Sequence, residues 1–108
     1  MPIHNKLVRD RIPEIIKSTG KLAVTEILDE EEYVTELRRK SKEELDEFLN
    51  SETNEEALEE LADLLEIIHA FAKVHAANID KVEQIRLKKA EERGSFDERI
   101  FLIEVLDE

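Results

Sequence analysis

Apolar residues recur along most of the chain at intervals of three and four, the spacing of one face of an α-helix. Over residues 30–49, Val34, Leu37, Leu45 and Phe48 fall near one stripe. A second periodic run, 54–77, carries two stripes: Leu58, Leu61, Leu65 and Ile68 on one side, Ile67, Ala70 and Val74 on another. A helix apolar on two sides belongs at the centre of a bundle. A third long helix is expected from Asn78 or Asp80 to about 93–94.

Punctuation supports these limits. Asp29 with Glu32 three residues on reads as a capping box opening the first long helix. The turn-rich Asn50-Ser51-Glu52-Thr53-Asn54 ends it, and Asn54 can cap the next. A shorter helix over 12–18 is framed by Pro13 in its first turn and Gly20 beyond its end. Segments 21–28 and 99–106 are rich in β-branched and other apolar residues. They are expected either to pair as a small two-stranded β ribbon or to run extended across the bundle. The fold class that follows is mostly α: an antiparallel helical bundle in one domain spanning 1–108. The short 50–54 connection makes the two long helices antiparallel neighbours.

Charge narrows the partners. The 108 residues include 28 Asp and Glu against 16 Lys and Arg, a formal net charge of −12. Such a chain is a poor binder of nucleic-acid backbone. No apolar run approaches the roughly 20 residues of a membrane span, and the opening MPIHNKLVRD lacks the apolar core of a signal peptide. Cysteine is absent, which excludes disulfides and thiolate metal sites. The expectation is a cytoplasmic protein with no membrane or nucleic-acid partner. A core this small gains from self-association, so a homodimer is expected, with a homotetramer the alternative.

The acids are not evenly spread. Helical rotation of about 100° per residue puts Glu44 at the border of the stripe of Leu37, Leu45 and Phe48, with Glu47 further out and Glu43 mostly away. In the following helix Glu60 and Asp63 continue the stripe of Ile67, Ala70 and Val74, where core residues would otherwise stand. At a rise of about 1.5 Å per residue, Glu44 and Glu60 both stand about 9 Å from the turn, with Glu47 nearer and Asp63 further. Helix axes roughly 8–10 Å apart let the four carboxylates reach a common point. Converging anions repel unless protonated or neutralised, and a hard divalent cation, magnesium (Mg2+) or manganese (Mn2+), suits oxygen ligands. The alternative is that these acids simply decorate solvated helix faces.

Glu43-Glu44-x-x-Glu47 followed by Glu60-x-x-Asp63 resembles the Glu-Glu-x-x-Glu and Glu-x-x-Asp signature of the MazG-like all-α nucleotide pyrophosphohydrolases. Segments 5–16 (NKLVRDRIPEII) and 88–96 (KKAEERGSF) resemble the flanks of the phosphoribosyl-ATP pyrophosphohydrolase-like branch, although Ser95 stands where that branch carries glycine. The resemblance covers nearly the whole chain. It implies an all-α fold and Mg2+-dependent cleavage of a nucleoside triphosphate to the monophosphate and pyrophosphate. Carried over by position, Glu44, Glu47, Glu60 and Asp63 would ligate the metal, with Glu43 the weaker member. Clearing of non-standard or excess nucleotides is the implied role, and the phosphoribosyl-ATP step is an alternative with the same chemistry.

A triphosphate substrate also needs cations. Lys6 and Arg9, three apart before the first helix, and Lys89 and Arg93, four apart at the end of the last, are the phosphate-contact candidates. The competing readings are an ion pair from Arg9 to a helix acid, and favourable placement of Lys89 and Arg93 at a helix C-terminus. Two non-hydrolase readings remain: a non-catalytic helical oligomer, and a di-iron carboxylate protein using Glu66-x-x-His69.

Overall fold

The computed structural model describes residues 4–107. It contains four helices: α1, Ile12–Ser18; α2, Glu30–Leu49; α3, Asn54–Val74; and α4, Ile79–Arg93. Among the described residues there is no strand. The mostly α class is therefore as expected, and the ribbon does not form. Segment 21–28 neither pairs nor lies on the helices: Leu22, Val24 and Ile27 are almost fully exposed. The same holds for Ile100 to Leu106, which lack the strict alternation that would give a strand one buried and one wet face.

Local chemistry explains the helix limits. Asp29 Oδ1 accepts from the Glu32 backbone N–H at 2.8 Å, which starts α2. At its other end Asn50 Nδ2 donates to the Asp46 carbonyl at 2.8 Å and Ser51 Oγ to that of Phe48 at 2.7 Å, satisfying groups the last turn leaves free. The cap of α3 is Thr53 rather than Asn54. Its Oγ1 accepts from the Glu56 N–H, while the Glu56 carboxylate accepts from the Glu52 N–H, both at 3.1 Å. Thr53-x-x-Glu56 is thus a variant of the capping box, displaced by one backbone donor. Asn78, not Asp80, caps α4.

Helix α3 ends at Val74, three residues before the expected limit of 77. The N–H of Ala77 donates to the Ala72 carbonyl at 2.9 Å, and that of Ala76 to Lys73 at 3.1 Å. This closure needs a left-handed residue, and Ala76 supplies it at φ 57°. An L-residue there carries steric cost that glycine lacks. Ala76→Gly is therefore expected to stabilise the protein by roughly 0.5–1 kcal/mol, measured as a higher urea midpoint at unchanged slope. Gly94 ends α4 differently, at φ 84° and ψ 177°, an extended positive-φ conformation that glycine adopts without a Cβ penalty.

Helices α2 and α3 form the main antiparallel hairpin, and α4 touches α3. The face of α2 turned to α3 is Leu37, Glu44 and Phe48, spaced seven and four apart. Leu45, assigned to this stripe from the sequence, is 44% exposed, so the stripe is centred on Glu44 instead of bordering it. On α3, Ile67 is buried, with Ala70 and Val74 half-buried beside it. The other apolar stripe, Leu58, Leu61, Leu65 and Ile68, faces outward and is exposed.

Candidate functional site

Glu44 is the buried charged residue among the described residues, 6% exposed at a position where the helical period calls for an apolar side chain. Across the hairpin, Glu60 and Asp63 occupy equivalent positions on α3, two turns and one turn before Ile67 respectively, and both are half-buried. The antiparallel hairpin brings one carboxylate oxygen from each of Glu44, Glu60 and Asp63 within 4.8 Å of the others. Glu43, Glu44 and Glu47 form a second group at the same spacing, with Glu44 common to both. Glu43 and Glu47 are exposed, so the cluster grades from the hairpin interior to solvent.

Of the four acids expected to converge, Glu44, Glu60 and Asp63 meet in one group, while Glu47 meets Glu44 in the other, which Glu43 joins despite its outward angle. Opposed oxygen ligands of an ion held at 2.0–2.6 Å lie about 4–5 Å apart, and the oxygens of each group, all within 4.8 Å of one another, are close enough to share one ion. Glu44 Oε2 and Glu60 Oε2 are buried with no hydrogen-bond partner. A buried acceptor left unpaired is costly, and buried carboxylates are normally hydrogen-bonded, paired or ligating. The donor set, all carboxylate oxygen, fits Mg2+ or Mn2+.

The crowding of acids bears on the protonation of Glu60. The adjacent Glu47 carboxyl, burial, and the Glu44 carboxyl together push its pKa from 4.5 up to about 7. The first and third favour a shared proton between acids, and the second disfavours any charge in a poorly solvated place.

Two cations lie against the acids. Arg9 Nη2 donates to Asp63 Oδ1 at 2.7 Å, across 54 residues of sequence, and both side chains are about half exposed. Lys40 Nζ lies 3.4 Å from Glu44 Oε1 and 4.0 Å from Glu43 Oε1. Thus Glu44 offers one oxygen to Lys40 and keeps the other free. Lys40 was not among the candidates from sequence, although its i, i+4 relation to Glu44 is a readable signal. Arg9 is brought to the cluster as the ion pair weighed against its phosphate role. Lys6, Lys89 and Arg93 are exposed and take part in none of the cluster's ion pairs. Glu66 and His69 belong to neither ligand group among the described residues.

No helix among the described residues is long and apolar enough to cross a membrane. No protein-family profile matches the chain, and no solved structure matches it. An uncharacterized protein of Mycolicibacterium smegmatis is 43% identical over 54 residues. That match covers 50% of this chain and 55% of the relative, so the chain spans about half the length of the protein it resembles.

Proposed function

We propose that the chain is a divalent-metal-dependent nucleoside triphosphate pyrophosphohydrolase, releasing a nucleoside monophosphate and pyrophosphate. The observation that carries this reading is the pair of buried, unpartnered oxygens, Glu44 Oε2 and Glu60 Oε2, inside a carboxylate cluster contributed by two antiparallel helices. The order of those acids supports it, since Glu43-Glu44-x-x-Glu47 and Glu60-x-x-Asp63 resemble the MazG-like signature.

Glu44, Glu47, Glu60 and Asp63 would hold Mg2+ or Mn2+, with Glu43 at the outer edge. Such an ion supplies positive charge for the phosphate oxygens and lowers the pKa of nearby water. The chain's own groups do the rest. Arg9 is placed to exchange a half-exposed carboxylate for a phosphate oxygen, because an ion pair in that setting holds by only about 0.5 kcal/mol. Lys40 offsets the charge of the Glu44 side. Lys6, Lys89 and Arg93 supply outer-phosphate contacts in this proposal. The cluster's carboxylates orient the attacking water and accept its proton, which leaves toward solvent on the exposed Glu43–Glu47 side.

The proposed setting is the cytoplasm, the role is removal of non-standard or surplus nucleotides, and the enzyme is a homodimer or homotetramer. The test is a panel of canonical and modified nucleoside triphosphates, with phosphoribosyl-ATP included, assayed for pyrophosphate with Mg2+ or Mn2+. Release from at least one triphosphate that stops on chelation is the expected result. Turnover of phosphoribosyl-ATP alone would move the assignment to that step. Absence of turnover across the panel, with iron bound and an absorbance band, would replace the proposal with the di-iron reading.

A further inference from the structure

The molecule exposes far more surface than its mass allows. A compact monomer of 12.6 kDa presents roughly 6,200 Å². This chain presents 10371 Å². Its radius of gyration is 18.8 Å, against roughly 13 Å for a compact domain of this length. The excess area is about 4,000 Å² per chain, several times the roughly 800 Å² per partner that a stable dimer buries.

Exposed apolar residues gather in segment 21–28 and in two longer places. One is the outer stripe of α3, Leu58, Leu61, Leu65 and Ile68, between 37% and 65% exposed. The other is Ile100-Phe101-Leu102-Ile103-Glu104-Val105-Leu106, in which all six apolar residues are at least 74% exposed. The first is a continuous helical face, while the second has neither helix nor strand of its own. The segment is long enough to cover the stripe: Leu58 to Ile68 spans about 15 Å along the helix, and seven residues of open chain reach up to about 23 Å.

We propose that residues 100–106 of one copy pack on the outer stripe of α3 in a second copy, and that the exchange is reciprocal. Each chain carries both surfaces, so a two-fold pair satisfies both at once. Two chains of charge −12 repel at long range, which leaves apolar contact as the driving force and makes screening by salt favourable. This specifies the oligomer named above and is independent of the hydrolase chemistry: pyrophosphate assays and mass measurements succeed or fail separately.

The chain has no cysteine, so introduced thiols report proximity cleanly. 108-residue Leu65→Cys and Phe101→Cys chains, tagged differently, mixed and mildly oxidised, are expected to cross-link to each other. By light scattering the unmodified chain is expected at twice 12.6 kDa or more, and more completely as salt is raised. Phe101→Glu with Ile103→Glu is expected to return a single-chain mass at micromolar concentration with helical circular dichroism retained. A single-chain mass for the unmodified protein overturns the proposal. So does an unchanged mass for the folded double variant. Should that variant not fold, failure of the two thiol chains to cross-link overturns it. In a doubly substituted chain, a disulfide closing only within that chain also overturns it, by placing the segment on its own α3.

Discussion

Glu44→Gln is expected to lower metal-dependent pyrophosphate release at least about 100-fold, the upper end of what losing a mere outer-shell partner costs, while the chain stays folded. The substitution keeps side-chain volume at a site 6% exposed, so the packing of α2 on α3 is not emptied. It removes the charge of the carboxylate common to both ligand groups. It also brings an amide N–H donor close to Glu60 Oε2, which otherwise has no partner. Activity and stability should thus move apart: turnover collapses and the metal-free protein melts no lower. Glu66→Gln, one residue from the buried Ile67 but outside the cluster, serves as the control and is expected to keep full activity. Full activity in folded Glu44→Gln would remove the cluster from the chemistry. Equal losses in both variants would point to a general effect of charge.

The same residue shows what a sequence can and cannot disclose. Periodicity and capping residues located α2, α3 and α4, because Asp29, Asn78 and Gly94 each act on their nearest neighbours. The meeting of Glu44 with Glu60 and Asp63 across the hairpin was legible too, since rotation and a short turn suffice to compute it. The degree of burial was not. Hydrophobic patterning assigns an acid to the surface by default, so it tilted the α2 stripe toward Leu45 and away from Glu44. Arg9 on Asp63 depends on how residues 4–11 return to α3, and no local spacing encodes that path. Lys40 and Thr53-x-x-Glu56, by contrast, obey short-range rules and were readable. The apolar segments 21–28 and 99–106 mark another boundary. Their composition signals burial, yet their side chains stand exposed, and apolar content alone does not say which surface would cover them.

The second large effect is on stability, and it links the proton to the metal at Glu60. In the unfolded chain this carboxyl ionises near 4.5, and in the folded, metal-free protein near about 7. Below 4.5 both states hold the proton and Glu60 adds no pH dependence. Between 4.5 and about 7 the folded state binds more protons than the unfolded one, so stability falls as pH rises. Above 7 both are ionised and the full penalty is present. The metal-free wild type should therefore lose melting temperature relative to Glu60→Gln as pH rises from 5 to 8, since Gln has no proton to lose. Exposed pairs such as Arg86 with Glu83 are common to both proteins and cancel in that difference. A divalent ion reverses the trend, because it takes the place of the proton and gains affinity as Glu60 ionises. At 100 times its dissociation constant an ion contributes about 2.7 kcal/mol, which for a domain near 100 residues is on the order of 10 °C in melting temperature. That shift should be large at pH 8, small at pH 5, and mostly lost in Glu60→Gln. Parallel melting profiles for the two metal-free proteins, or equal Mg2+ shifts in both, would mean that the buried oxygens of this hairpin are not held open for a cation.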